Sequence, residues 1–161
     1  AAAFLREKKI PFSLFTHSAP PKSIEQAAFE RGQVPEQVVR SILFRLSEDV
    51  FVMVLAAGAD QISWGKLRRY LGSSRITMAT HDEVLKRTGS LPGAVSPLGV
   101  PEPIRILADS NLLDHETISL GSGIRGTAIL IKRDNLIKAI PSIEFGDFIA
   151  TRNQQDISNE A

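Results

Sequence analysis

The chain has 161 residues, with 19 lysines plus arginines against 18 acids, so a net charge of +1 marks no general polyanion coat and leaves room only for a local basic patch. It holds no cysteine, which excludes disulfides, thiolate metal sites and a cysteine nucleophile together. Apolar residues at 43% exclude a disordered chain and are enough for one domain of this length to build a core without covalent staples.

Taken in chain order, Ser23-Ile24-Glu25-Gln26 has the spacing of a capping box, in which a serine and a glutamine three residues on satisfy each other's orphan N–H groups. The helix it opens stops at Gly32, a residue that turns left-handed without steric cost. Residues 38–46 and 50–57 are β-rich and flank the polar gap Ser47-Glu48-Asp49, which predicts a hairpin. Ser63 caps a helix that ends near Gly72, and Thr80 to Glu83 forms a second capping box before a helix ending at Gly89. Between residues 89 and 103 lie three glycines and four prolines, which forbid both a regular helix and an interior strand. Strands are predicted at 104–108, 117–120 and 127–131, a short helix at 133–139 and a last strand at 143–150. The polar tail from about residue 151 is expected to fray. This pattern predicts one α+β domain over residues 1–161, with six or seven strands in a mixed sheet and about four helices around it.

Apolar runs stay far below the ~20 residues of a membrane-spanning helix. The first residues lack the basic, apolar and small-residue layout of a signal peptide, so a cytoplasmic protein with no membrane partner is expected.

Most familiar chemistries find no foothold. His17, His81 and His115 are far apart and never in a metal-ligand spacing, so no metal is expected; satisfied or surface histidines explain them better. There is no GxSxG nucleophile turn and no P-loop. Glycines 121, 123 and 126 spell GxGxxG, but the run leads into a strand and offers no helix N-terminus to a pyrophosphate, so no dinucleotide cofactor is expected. Two features remain. The loop from Gly89 through Gly93 to Gly99 could aim several backbone N–H groups at one oxygen, as an oxyanion hole requires; a rigid connector has the same composition. Lys66, Arg68, Arg69 and Arg75 fall in a stretch without an acid, as do Arg125, Lys132 and Arg133, which suits a phosphate-facing surface or merely a solvated helix face. Trp64 and Tyr70 on the same helix are expected to pack in the core.

The order of these elements resembles the YbaK family, aminoacyl-tRNA deacylases related to the editing domain of bacterial prolyl-tRNA synthetase. The resemblance rests on the strand containing Arg40-Ser41, the Ala56-Ala57-Gly58 strand end, the TGxxxGxxSPxG loop from Thr88 to Gly99 and the downstream Gly121-Ser122-Gly123, and runs from about Ile10 to Ile149. It implies a sheet curled toward a barrel and a pocket that admits the acceptor end of a mischarged aminoacyl-tRNA and hydrolyses its ester. It implies that Gly89, Gly93, Ser96, Pro97 and Gly99 form the pocket loop and that Gly121, Ser122 and Gly123 form a second wall. Arg40, Gly93 and Ser96 are then the candidate catalytic residues, Ser41 a substrate contact, and Lys66, Arg68 and Arg69 the RNA-binding set. Prolyl-tRNA synthetase is a candidate partner. The family motif has lysine followed by threonine or serine where this chain has Arg40-Ser41. Arginine keeps the charge and cannot serve as a base, so two readings stand: a deacylase anchored by arginine, or a silent paralogue that binds an aminoacyl-tRNA end or a synthetase. A structural role without RNA is a third.

Overall fold

The structure is a computed structural model and describes residues 1–150. Its centre is the hairpin of β2 (Val39–Ser47) and β3 (Val50–Ala57), joined by a tight turn at which Asp49 takes a positive φ. Val52 to Ala57 are buried on both faces because a layer packs on each side. β3 pairs in parallel with β5 (Arg105–Asp109), which pairs in parallel with β8 (Glu144–Gly146). β4 (Thr77–Met78) closes the other edge against β2. A second sheet is antiparallel, in the order β1 (Ser13–Thr16), β7 (Thr127–Lys132), β6 (Thr117–Gly121).

The larger core lies between these sheets, where Val39, Leu43, Met53 and Leu55 meet Ile118, Leu120, Ile129 and Ile131. The opposite face of the five-stranded sheet packs Phe44, Val52, Val54 and Leu107 against Leu67 and Phe148. Period-2 alternation along β2 thus sends Val39 and Leu43 to one core and Ile42 and Phe44 to the other. One parallel bridge, Val38 to Ser119, joins the two sheets at the start of β2. The result is eight strands in sheets of five and three among the described residues, curled together without closing, where one sheet of six or seven is expected from the sequence.

The helices form where caps predict them. Ser23 accepts from Gln26 N ahead of α2 (Ile24–Arg31), Ser63 from Lys66 N ahead of α3 (Trp64–Leu71), and Thr80 completes its box with Glu83 at α4 (His81–Thr88). Gly32, Gly72 and Gly89 end them in the left-handed region. α5 (Arg133–Ala139) falls as predicted. The capless α1 (Ala2–Glu7), the exposed β1 and the two-residue β4 escape sequence reasoning. The last strand is only three residues long, because Phe148 turns inward and its N–H is taken by Asp109 Oδ1 at 2.8 Å. Trp64 and Tyr70 meet the buried Phe44 and Phe148 rings edge-on, yet 36% and 43% of their surface stays in solvent, so they are boundary residues and not core. The polar tail lies outside the described residues.

Candidate active site

Where β2 leaves the Val38 bridge, the two sheets diverge and open a cavity of about 480 Å³. Its walls come from the 20–27 segment, the start of β2, the end of β6, the 124–127 turn and the tip of the 89–99 loop. Among the described residues, Lys22, Arg31, Arg40 and Arg125 line it and no carboxylate does.

The loop is pinned by close backbone packing. Gly123 N donates to Ala94 O at 2.8 Å, and a Cβ on Gly121 would come within 2.2 Å of Val95 O. Only glycine at 121 therefore lets the loop cross β6 this tightly. Gly93 at the loop tip has φ +88 with open space around it. Among the described residues no acceptor takes the N–H of Gly93 or of Val95, and both residues line the cavity. Unpaired N–H groups of this kind can donate to an oxygen bound nearby.

The other predicted loop residues make contacts within the fold. Ser96 is buried, and its Oγ accepts from Leu98 N at 3.1 Å. Gly89 caps α4, Gly99 packs on Phe4, and Pro97 is buried behind the loop. Ser122 Oγ donates to Thr127 O at 2.8 Å and accepts from Ile124 N, which braces the 121–127 turn. None of Gly89, Ser96, Pro97, Gly99, Ser122 or Gly123 lines the cavity; Gly93, Val95 and Gly121 do.

Arg40 and Ser41 are neighbours in sequence and therefore point to opposite faces of β2. Ser41 Oγ lines the cavity, buried and without a hydrogen-bond partner. Arg40 Nη2 donates to the carbonyl of Asp60, and its buried Nε has no partner. Burial lowers the Arg40 pKa and the nearby Asp60 opposes this, so the guanidinium stays charged at neutral pH. It stands between the first cavity and a second of about 750 Å³ on the α3 side of the sheet, and borders both.

Sequence reasoning passed over a buried network on the cavity wall. Arg31 Nε–H donates to His17 Nε2 at 3.1 Å, which makes that nitrogen the lone-pair atom and places the proton on Nδ1, 3.1 Å from Glu30 Oε1. Arg31 also donates to Ser119 Oγ at 2.9 Å, and Ser119 donates to Gln33 Oε1 at 2.6 Å. Burial lowers the Arg31 pKa, partly offset by Glu30. Both imidazole nitrogens are engaged, so His17 orients Arg31 and is not free to take a proton from water. Spacing could not reveal this, because the partners come from β6 and α2.

The expected RNA-binding cluster divides. Lys66 Nζ is held by Asp147 at 2.9 Å and by Ile149 O at 3.0 Å, whereas Arg68 lines the second cavity and Arg69 is exposed. Among the described residues no group of three or more histidines and carboxylates could hold a metal, and no helix is long and apolar enough to cross a membrane.

The model of the aminoacyl-tRNA editing domain matches residues 18–139, which include every described lining residue of the first cavity except His17. The chain belongs to the aminoacyl-tRNA editing domain family. This editing domain is 31% identical over 130 residues to a proline–tRNA ligase of Limosilactobacillus fermentum, and 28% identical over 127 residues to one of Staphylococcus aureus. These matches take 78% and 79% of the chain and 22% of each ligase, so the domain spans about a fifth of the curated relatives' length. Among solved structures, a candidate trans-editing enzyme for prolyl tRNA synthetase superposes with a TM-score of 0.84 at 23% identity, covering 92% of this chain and 94% of the other. That likeness establishes the α+β fold.

Proposed function

We propose that this editing domain hydrolyses the ester of a mischarged aminoacyl-tRNA, acting in trans in the cytoplasm on tRNA for proline. The observation that carries the reading is the pair of unclaimed N–H groups of Gly93 and Val95 on the wall of a cationic, carboxylate-free cavity. An aminoacyl ester is already activated, so catalysis needs a placed water and stabilisation of the oxyanion. Water adds to the carbonyl carbon as it gives up a proton, the C=O π bond breaks, and the carbonyl oxygen takes the charge toward the two N–H groups. The bond from carbon to the ribose oxygen then breaks, and that oxygen is protonated as the free amino acid departs. With His17 engaged at both nitrogens, the proton passes through substrate hydroxyl or water. Lys22, Arg40 and Arg125 face the terminal phosphates, Arg40 as a fixed charge and not as a base. The unpartnered Ser41 hydroxyl is the candidate polar contact to the aminoacyl group.

A time course on tRNA for proline charged with alanine, cysteine or serine tests this. One of the three is hydrolysed by the natural chain, and Gly93→Val, which keeps the N–H but strains the φ of +88 that sets its direction, lowers kcat by roughly 10²-fold, the order known for loss of an oxyanion contact, while a melting curve shows the domain still folded. Unchanged turnover in Gly93→Val removes the loop from the mechanism. The tether of Arg40 to Asp60 O favours one second reading, a binding paralogue; an inert natural chain that gains turnover as Arg40→Lys would establish it.

A further inference from the structure

The second cavity lies on the outer face of the five-stranded sheet, about 750 Å³ in volume, and shares Arg40 with the first. Trp64 stands at its rim with 36% of its surface exposed, braced edge-on against buried Phe44 at 5.2 Å between ring centroids. Arg68 lies one turn further along α3 and has no ion-pair partner among the described residues, and Met78, itself 58% exposed, completes an apolar side. Among the described residues no carboxylate side chain lines this cavity. A braced, partly exposed ring beside an unpaired guanidinium matches a stacked nucleobase and its phosphate, and a core-packing role explains neither the exposure of the ring nor that of Met78.

We propose that this second cavity is a subsite for an unpaired nucleotide of the acceptor end, with its base stacked on Trp64 and its phosphate on Arg68. The inference rests on the deacylase reading for the identity of the RNA: Arg40, shared by both walls, would join the ester in one cavity to the preceding nucleotides in the other. Single-stranded ends suit such a site, because every base offers a π-face and stacking needs no sequence readout.

Trp64 is the single tryptophan of the chain, so intrinsic fluorescence reports this cavity directly. The probe is the single-stranded RNA trinucleotide cytidine-cytidine-adenosine, titrated against the full chain. Saturable quenching is expected, with neither inorganic phosphate nor an abasic trinucleotide producing it. By anisotropy of a labelled trinucleotide, Trp64→Leu weakens binding about tenfold, Trp64→Phe retains most of it, and Arg68→Gln weakens it while making its salt dependence shallower. Melting curves of each variant show that the fold persists. Absence of quenching, or quenching untouched by Arg68→Gln and matched by phosphate alone, overturns the subsite. The titration needs no hydrolysis. Quenching in a chain that deacylates nothing keeps the subsite and removes the enzyme; deacylation without quenching does the reverse.

Discussion

Gly121 shows how one residue can decide the site. Its φ is ordinary, so the need for glycine comes from space: a methyl group would collide with Val95 O at 2.2 Å. Gly121→Ala must push the 89–99 loop outward, at a cost of about 1–3 kcal/mol, the usual price of overpacking. Urea unfolding should show that loss, and deacylation should fall with it, since the moved loop carries the Gly93 and Val95 donors. Glu30 supports a second prediction at this scale. Its hydrogen bond from His17 lowers its pKa from 4.5 more than desolvation raises it. A carboxyl depressed on folding stabilises at pH above its unfolded value, and that contribution is lost as pH falls through the folded one. Melting temperature should therefore drop below pH 4.5 more steeply in the natural chain than in Glu30→Gln, which keeps the acceptor and loses the titration. Equal slopes would show that the pair contributes nothing to acid stability.

At the scale of elements, the capped helices are the most legible parts of the chain. Thr80 N–H reaches Glu83 Oε1 at 2.9 Å and Thr80 Oγ1 accepts from Glu83 N at 3.2 Å, the reciprocal pair expected from the spacing alone. Thr80→Ala leaves donors at the start of α4 unpaired, at about 1 kcal/mol. In a domain of this size that lowers the melting temperature by roughly 2–4 °C. Within α3 the basic residues separate by partner. Lys66 bonds to Asp147 and Ile149, so Lys66→Gln should lower stability and leave the salt dependence of RNA binding nearly unchanged. The same change at Arg68 should alter the salt dependence.

The whole molecule packs its two sheets on a shared core, joins them by the backbone bridge at Val38 and leaves a cavity on either side of β2. Few cations face these cavities: Lys22, Arg31, Arg40 and Arg125 in one, Arg68 with Arg40 in the other, and Arg31 is engaged with His17 and Ser119. At about 0.7 per phosphate neutralised on a single strand, the remaining four predict a salt slope no steeper than about −3 for an acceptor-end fragment. Fluorescence titrations between low and moderate salt would measure it, and a much steeper slope would locate the main RNA contact elsewhere on the surface.

Local chemistry is what the sequence by itself determined: caps at Ser23, Ser63 and Thr80, glycine stops, the β2–β3 hairpin, and a glycine-proline loop that can be neither helix nor strand. Each depends on residues within a few positions of one another, so spacing suffices to read it. The Arg40-Ser41 departure was legible for the same reason. Tertiary structure alone decided which of these residues share a cavity. The sequence offered Ser96 as a catalytic candidate and Lys66 as a phosphate ligand; only the fold shows that the Ser96 hydroxyl accepts from Leu98 N and that Asp147 lies against Lys66. His17 joined the buried network only because α2 brings Glu30 and Arg31 against it, with Arg31 reaching on to Ser119 of β6. The division of β2 between two cores sent Arg40 and Ser41 to opposite sides, and no local pattern could say what each side would face, since those partners lie far along the chain and meet only when the sheets close.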